Sequence, residues 1–271
     1  MIRRSITSPG VEAALKLMDL KFAFDSPGQR AQRLFEDFTQ EFPAGRVTAV
    51  LGRSGSGKTT LLNLIAGTLT PQYGKIEFHA PQSNRKKPVV GMVLQSPTLV
   101  PWRTVLANVL LGVEITEGHT SNDARKAAEG YLTRSGLAEY QTAYPHQLSG
   151  GMQQRVSVVR AVLPSPDILL LDEPFSNLDF DARYKLQLEL SDVIDARDAV
   201  VVFVTHDIED ALRFGDQILL IGDHPVRILD KFDITEPRNA RLEVETFDAA
   251  RLADYRKRIY AAWRTDAKSV S

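Results

Sequence analysis

A glycine-rich loop between an apolar strand and a helical pattern constrains this chain more than any other feature of its sequence. The loop runs Gly52-Arg53-Ser54-Gly55-Ser56-Gly57-Lys58-Thr59 and matches the pattern G-x-x-x-x-G-K-[ST]. It follows the apolar run Val47–Leu51 and precedes a helix expected over Thr59–Ala66. Its three glycines let the backbone turn sharply and point N–H groups at an anion, and the helix N-terminus adds partial positive charge. The sequence therefore predicts a loop that binds the phosphates of a nucleoside triphosphate.

Four polar side chains supply the chemistry that such a loop requires. Lys58 can reach the β- and γ-phosphates as a point charge, and the Thr59 hydroxyl is a ligand suited to Mg²⁺. The apolar run Ile168–Leu171 leads directly into Asp172 and Glu173, and ligands bind at the carboxyl ends of buried parallel strands. We expect Asp172 to hold Mg²⁺, directly or through water, and Glu173 to act as a general base on an attacking water. The alternative is a pair of solvated acids at a strand end.

Two kinds of strand pattern indicate the fold class. Nearly continuous apolar runs, typical of parallel strands covered on both faces, occur at Val47–Leu51, Ile168–Leu171, Val200–Val204 and Ile218–Ile221. Alternating patterns, typical of half-buried antiparallel strands, occur at Leu15–Phe24, around Phe38 and Phe42, and at Ile76 and Phe78. The chain is therefore expected to be α/β, with a mainly parallel core sheet and an antiparallel β flank.

Helical patterns define the rest of the domain organisation. Periodic apolar residues over Asp123–Ser135 and Met152–Leu163 predict a helical insertion at about residues 96–163. One domain is expected over residues 12–230, followed by a short C-terminal extension, residues 231–271, with one helix. That helix is indicated by Leu252, Tyr255, Ile259, Ala262 and Trp263. We expect it to pack back on its own domain, with partner binding as the alternative.

The composition excludes several classes of protein. The 33 Lys and Arg residues balance 34 Asp and Glu residues, and a formal charge of −1 argues against nucleic-acid binding. The chain has no cysteine, which excludes disulfides, zinc–thiolate sites, iron–sulfur clusters and a thiol nucleophile. It contains no run of about 18 apolar residues of the kind that spans a bilayer.

A second anion site is predicted at the start of another helix. Ser149, Gly150 and Gly151 combine a hydroxyl, bare backbone N–H groups and a helix N-terminus. Two phosphate cradles in one chain are unusual for a simple kinase. A head-to-tail dimer, in which each chain covers the nucleotide of its partner, accounts for both.

With these motifs in order, the chain resembles the ATP-binding subunits of ABC transporters over about Leu15–Leu229. The resemblance implies that Phe24 stacks on adenine, that Gln95 contacts Mg²⁺ and senses a membrane subunit, and that His206 lies at the γ-phosphate. It places Asp179 in the D-loop, which faces the opposite subunit. Two positions depart from the family pattern: Met152 stands where glutamine is commonest, and Asn177 replaces the usual alanine.

The resemblance implies a complete set of site residues with ATP and Mg²⁺ as cofactors. The nucleotide-binding residues are Phe24, Gly52, Arg53, Ser54, Gly55, Ser56, Gly57, Lys58, Thr59 and Thr60. The catalytic residues are Glu173, His206 and Gln95, and the Mg²⁺ ligands are Thr59, Gln95 and Asp172. The residues that contact the nucleotide of the partner are Ser149, Gly150, Gly151 and Asp179.

A narrower resemblance concerns the segment after Gln95. The stretch Leu99–Val109 has the pattern Leu-x-Pro-Trp-x-x-Val-x-x-Asn-Val, and with Pro225–Leu229 it is similar to the nitrate/sulfonate/taurine group of bacterial importers. This implies a homodimer that works with two membrane-spanning permease subunits and, indirectly, an exported solute-binding protein. It also implies a peripheral position on the cytoplasmic face of the inner membrane. Val100–Trp102 is then a candidate contact for the membrane subunit, with packing inside the insertion as the alternative.

Two other functions remain as alternatives to an ATPase of this importer group. One is an ABC ATPase of another transporter subgroup, and the other is a non-transport P-loop phosphotransferase. A phosphotransferase predicts an acceptor pocket and lacks both the second anion site and the D-loop. ABC ATPases that act on DNA or ribosomes resemble tandem cassettes or carry long coiled coils, neither of which the sequence contains.

Overall fold

The structure is a computed structural model that describes residues 13–24, 32–79, 87–176, 178–195, 198–222, 225–242 and 249–269. Asn177 and residue 12, where the domain is expected to begin, lie outside the described residues. The strands are β1 (Ala13–Phe24), β2 (Gln32–Pro43), β3 (Val47–Leu51), β4 (Tyr73–Phe78), β5 (Val90–Val93), β6 (Ile168–Asp172), β7 (Val200–Thr205), β8 (Gln217–Ile221) and β9 (Ile228–Asp233). The helices are α1 (Lys58–Ile65), α2 (Val105–Glu117), α3 (Asn122–Arg134), α4 (Gly150–Val162), α5 (Phe180–Asp195), α6 (Ile208–Phe214), α7 (Arg238–Leu242) and α8 (Ala249–Ser269).

The core sheet has the strand order β5-β6-β7-β3-β8-β9 and is parallel except at the pair β8–β9. Every residue of β3, β6, β7 and β8 is buried, which confirms the expectation from the continuous apolar runs. A second sheet, in the order β2-β1-β4, is antiparallel and confirms the predicted flank.

Apolar side chains cover the core sheet on both faces. On one face, Val50 and Leu170 pack with α1 and with residues of the antiparallel sheet such as Phe42. On the other face, Leu171 and Phe203 pack with residues of α4, α5, α6 and α8. A third cluster lies within the helical insertion and joins α2, α3 and α4. The sheet is thus a rigid platform from which loops emerge at the carboxyl ends of its strands.

The C-terminal extension differs from the prediction in two respects. Strand β9 pairs with β8 and crosses the expected boundary at residue 230, and α7 is a second helix where one was expected. Neither β9 nor α7 has a clear periodic pattern of apolar residues in the sequence. Phe232 is the buried residue of β9, and α7 has only five residues, two of them the buried arginines Arg238 and Arg241. The expectation of a single helix is therefore wrong.

Helix α8 packs back on the domain, as expected. Ile259 is fully buried, and Tyr255, Ala262 and Trp263 lie against the same apolar cluster. Arg256 also pairs with Glu209 at the start of α6. Among the helices of the described residues, none combines the length and apolar character that a membrane crossing requires.

Two buried arginines, Arg238 and Arg241, bind α7 to the domain through ion pairs with partly exposed carboxylates. Asp216, just before β8, accepts hydrogen bonds from Arg238, from Arg241 at 2.9 Å and from the Val47 backbone at 2.9 Å. Arg241 also donates to the carbonyl oxygens of Leu212 and Gly215 at the end of α6. These bonds tie the extension to the first residue of β3, the strand that leads into the glycine-rich loop.

Removal of Arg241 should destabilise the whole domain. Arg241→Ala removes a buried guanidinium from the partly buried Asp216 carboxylate and takes the donor from several carbonyl oxygens, so we expect a loss of about 3 kcal/mol in the free energy of unfolding. Chemical denaturation measures it. Arg33→Ala, which breaks an exposed pair with Glu36, is the matched control and should cost less than about 1 kcal/mol. Equal costs for the two variants would contradict a structural role for α7.

Candidate active site

The glycine-rich loop lies between the end of β3 and the first turn of α1. Gly57 caps α1 in the left-handed conformation, with φ of 86°, and a Cβ there would lie 2.9 Å from Cγ2 of Val226. Only glycine fits this position without strain. The first turn of α1 contains no acidic residue, so its N–H groups and helix dipole remain suited to an external anion.

Lys58 is buried and its Nζ lies within the loop. Nζ donates to the carbonyl oxygens of Gly52 at 3.0 Å and Arg53 at 2.8 Å. The hydroxyl of Ser56 is buried, and no hydrogen-bond partner for it exists among the described residues. A buried hydroxyl and a buried ammonium group in one loop fit an anionic ligand, which would give both further partners.

A hydroxyl and a carboxylate meet at the start of α1. Thr59 Oγ1 donates to Asp172 Oδ1 over 3.3 Å. Burial raises the pKa of Asp172, the Thr59 hydrogen bond and Lys58 lower it, and the charge of Glu173 raises it. Hydroxyl and carboxylate oxygens, with the amide oxygen that Gln95 carries, are the donor types that Mg²⁺ prefers, so these residues fit that ion.

Glu173 lies at the centre of the site. Its Oε2 accepts a hydrogen bond from Gln95 Nε2 at 3.2 Å, and its Oε1 lies 2.9 Å from His206 Nδ1. Its backbone has φ of 45°, the left-handed region that a glutamate rarely adopts. Hydrogen bonds from its N–H to Val204 O and from Ser176 to its carbonyl oxygen hold this conformation. The three residues expected to be catalytic are therefore in direct contact.

Phe24, expected to contact adenine, shares a cleft with the glycine-rich loop. The cleft has a volume of ≈ 280 Å³ and is lined by Phe24, Leu34, Gly55, Gly57, Lys58, Thr59 and Thr60. The Phe24 ring is 47% exposed at the end of β1. Of the other predicted loop residues, Arg53 and Ser54 have exposed side chains. Leu34 was missed by sequence reasoning because its place in an alternating strand indicates only a core residue.

The residues expected to act on a partner's nucleotide do not join this site. Ser149 caps α4 through the Met152 N–H at 3.3 Å, and Asp179 caps α5 through the Ala182 N–H at 2.9 Å. Ser149, Gly150 and Asp179 are exposed. Within the part of the chain that the structure describes, no hydrogen bond or ion pair links them to the glycine-rich loop. Met152 packs against the apolar cluster of the insertion.

A polar network behind His206 was also missed. Asp207 caps α6, and Arg183 of α5 lies 3.4 Å from Asp207 Oδ2 and 3.5 Å from Asp210 Oδ1. Gln187 Nε2 donates to Asp210 Oδ1 at 3.0 Å. These contacts set the position of α6 relative to α5. The sequence signals only that acids begin a helix, which also occurs at ordinary helix starts.

Comparisons with known proteins agree with the geometry. A family model described as ABC transporter matches residues 35–176. An uncharacterized ABC transporter ATP-binding protein of Methanocaldococcus jannaschii is 37% identical, over 92% of this chain and 91% of that protein. A taurine import ATP-binding protein of Rhizobium johnstonii is 39% identical, over 72% of this chain and 74% of that protein. Relatives at 34–39% identity include taurine, sulfonate and nitrate import ATP-binding proteins.

The fold is also similar to that of a solved structure. It is a dimeric ATP-binding cassette in a post-hydrolysis state, bound to ADP and Pi, with a TM-score of 0.72 and 28% identity. The match covers 82% of this chain and all of that chain.

The Asp210 network predicts a pH dependence of stability. Burial, with the nearby charge of Asp207, raises the pKa of Asp210 to about 6, against about 3.9 in an unfolded chain. Between these values the native state binds more protons than the unfolded state, so the contribution of Asp210 to stability falls as the pH rises. Asp210→Asn removes this titration. Its free energy of unfolding relative to the unmodified chain should therefore rise from about pH 4 to about pH 6 and then level off.

Urea denaturation at a series of pH values measures this difference. Asp181→Asn, at an exposed position in the first turn of α5, is the control and should show no such trend. A difference between Asp210→Asn and the unmodified chain that stays constant across the window would show that folding does not raise the pKa of Asp210.

Proposed function

The chain belongs to the ABC transporter family as an ATP-binding and ATP-hydrolysing subunit, and from this premise we propose that it powers an importer of taurine, another sulfonate, nitrate or a similar small solute. The observation that carries the proposal is the carboxylate of Glu173, contacted by both Gln95 and His206 next to the glycine-rich loop. The solute class is supported by the relatives named for taurine, sulfonate and nitrate import.

The proposed chemical step is attack of water on the γ-phosphorus of ATP, which breaks the bond to the β–γ bridging oxygen and releases ADP and inorganic phosphate. Glu173 accepts a proton from the water, and His206 holds the Glu173 carboxylate in place. Lys58 and the backbone N–H groups at the start of α1 bind the phosphates. A Mg²⁺ ion, when bound, neutralises phosphate charge, and Thr59, Asp172 and Gln95 are the residues that would hold it.

The proposed unit is a homodimer with composite sites. Ser149, Gly150, Gly151 and Asp179 make no in-chain hydrogen bond or ion pair to the glycine-rich loop among the described residues. Helix α4 begins with two glycines, and the hydroxyl of its N-cap residue Ser149 accepts from the Met152 N–H. A partner's γ-phosphate is a ligand suited to that helix N-terminus. The dimeric form of the similar cassette bound to ADP and Pi supports this arrangement.

A second surface of the chain is suited to the permease subunits. The Trp102 side chain is 78% exposed, so packing inside the insertion does not account for it. Buried Asn108 holds the loop rigidly: its Oδ1 accepts from Val100 N at 2.7 Å, and its Nδ2 donates to three loop carbonyl oxygens at 3.0–3.1 Å. Arg160 adds a bond to Thr98 O at 2.7 Å. A rigid, exposed tryptophan is typical of residues that dominate binding at an interface.

In this proposal the subunit lies at the cytoplasmic face of the inner membrane and binds two membrane-spanning permease subunits through the loop that carries Trp102. The exported solute-binding protein acts on the permeases, so its link to this chain is indirect. ATP drives the permeases only through contacts that tighten when the dimer closes, because a ligand shifts an equilibrium by its differential affinity for the two states.

The role of Glu173 is tested by Glu173→Gln. The amide keeps the shape of the side chain but cannot accept a proton, so we expect hydrolysis to fall about 10²–10⁴-fold while ATP binding persists. Because ATP is then trapped, the mass in solution should double when MgATP is added. Glu139→Gln, at an exposed position of the insertion, is the control and should hydrolyse normally. Hydrolysis by Glu173→Gln within about threefold of the unmodified rate would exclude Glu173 as the base.

The composite site is tested in the same background. Adding Ser149→Arg to Glu173→Gln places a bulky side chain at the start of α4, so ATP should still bind to the single chain but the mass should no longer double. A dimer that persists with unchanged ATP dependence would contradict a role for α4 at the partner's nucleotide.

The proposed permease contact is tested by Trp102→Ala. The isolated subunit should hydrolyse ATP at its normal rate, because Trp102 lies outside the site, whereas transport by the complex reconstituted with its membrane subunits should fall at least about tenfold. Ile115→Ala changes an equally exposed residue of the same insertion and should leave transport intact. Normal transport by Trp102→Ala would contradict the contact.

A further inference from the structure

We propose that Gln72 is a positioning residue that fixes the end of β1, so that the ring of Phe24 is presented to the adenine base. The inference rests on the proposed adenine contact of Phe24. In this inference Gln72 affects the affinity of the site for the adenine base and leaves its affinity for the phosphates unchanged.

The end of β1 lacks a strand neighbour on one side. On one side of β1, strand β2 pairs with β1 up to the last residues of β1, with Ala23 opposite Arg33 and Phe24 opposite Gln32. On the other side, β4 begins only at Tyr73, which pairs with Lys21. The backbone of β4 therefore stops short of Ala23 and Phe24.

The side chain of Gln72 takes the place of the missing strand residue. Its backbone N–H donates to Lys21 O at 2.8 Å, which continues the pairing with β1 by one residue. Its side-chain Oε1 then accepts from Ala23 N at 3.0 Å, and its Nε2 donates to Ala23 O at 3.3 Å. The side-chain amide thus binds both backbone polar groups of Ala23, as a neighbouring peptide unit would in a sheet.

The two hydrogen bonds from the Gln72 amide hold the backbone of Ala23, the residue directly before Phe24. The Phe24 ring is half-exposed, with one edge-to-face contact to Phe22 at 5.0 Å between ring centroids and an angle of 87°. The ring is attached to the backbone one residue after Ala23, so the position of the Ala23 backbone helps to set where the ring lies relative to the cleft. A free end of β1 would have to be ordered each time a base stacks on Phe24, and that ordering costs affinity.

Both hydrogen bonds of the Gln72 amide lie at the surface, where water can replace them. Their loss therefore has little effect on the stability of the fold. The expected effect is specific to ligands that carry the base.

The experiment compares two ligands that share a diphosphate group. ADP carries the adenine and inorganic pyrophosphate does not, and calorimetry with Mg²⁺ on the full chain measures both dissociation constants without hydrolysis. We expect Phe24→Ala to weaken ADP binding about tenfold, as loss of a stacking aromatic does, and Gln72→Ala to weaken it about threefold. Neither variant should change pyrophosphate binding.

Three further variants sharpen the test. Gln72→Glu keeps the acceptor for the Ala23 N–H but loses the donor, so its ADP affinity should lie between those of the unmodified chain and Gln72→Ala. The double variant Phe24→Ala/Gln72→Ala should bind ADP no more weakly than Phe24→Ala alone, because Gln72 acts through the ring. Tyr73→Ala, at the neighbouring exposed residue, is the control and should not change ADP binding.

The outcomes separate this inference from the proposed function. If Gln72→Ala weakens ADP and pyrophosphate binding equally, or if its effect adds to that of Phe24→Ala, Gln72 does not act through Phe24. If Phe24→Ala weakens ADP binding and Gln72→Ala does not, the inference alone is wrong. If Phe24→Ala leaves ADP binding unchanged, the adenine contact itself is wrong and the inference falls with it.

Discussion

The parallel pairing of four neighbouring strands determines the geometry of the site. Strands β5, β6, β7 and β3 lie side by side and run in one direction, so the residues that follow them emerge at one edge of the sheet. The register places Asp172 opposite Val204 and Val204 opposite Val50. Gln95, Glu173, His206 and the glycine-rich loop follow within a few residues of this row. Apolar clusters on both faces hold the register, since a slip would misplace a fully buried set of side chains.

At the end of β6, the neighbouring residues Asp172 and Glu173 have different surroundings. Asp172 is buried at the strand end, where burial raises its pKa and the Thr59 hydroxyl and Lys58 offset part of the effect. Glu173 leaves the strand direction with a positive φ and turns its carboxylate toward Gln95 and His206. Consecutive residues of a strand point to opposite faces, so the left-handed conformation is what allows both carboxylates to serve one site.

Sequence reasoning succeeds where a signal is local and fails where it depends on distant pairs. The buried strands, the glycine-rich loop and the antiparallel flank follow from patterns a few residues long. Strand β9 and helix α7 do not, because their positions depend on pairing with β8 and on the bonds from Arg238 and Arg241 to Asp216. The hydrogen bonds between the Gln72 amide and Ala23 join residues 49 positions apart. A lone glutamine in a loop gives no sequence signal for such a contact. The strand-end acids predicted Glu173, and the family resemblance predicted Gln95 and His206 for the same site. The contacts of Gln95 and His206 with Glu173 were not predicted, because they depend on the strand order.

The contact between β5 and α4 joins the two halves of the proposed mechanism. A Cβ at Gly91 of β5 would lie 2.5 Å from Ala161 O of α4, so strand and helix approach as closely as their backbones allow. Gln154 of α4 donates to Leu94 O at 3.3 Å, next to Gln95. The helix that begins with Ser149, Gly150 and Gly151 is therefore packed against the strand that leads to Gln95. In the proposed dimer, this contact connects Gln95 to the helix whose N-terminus faces the partner. The rigid loop that carries Trp102 is bound to α4 through Arg160, so the same helix also links the nucleotide site to the proposed permease contact.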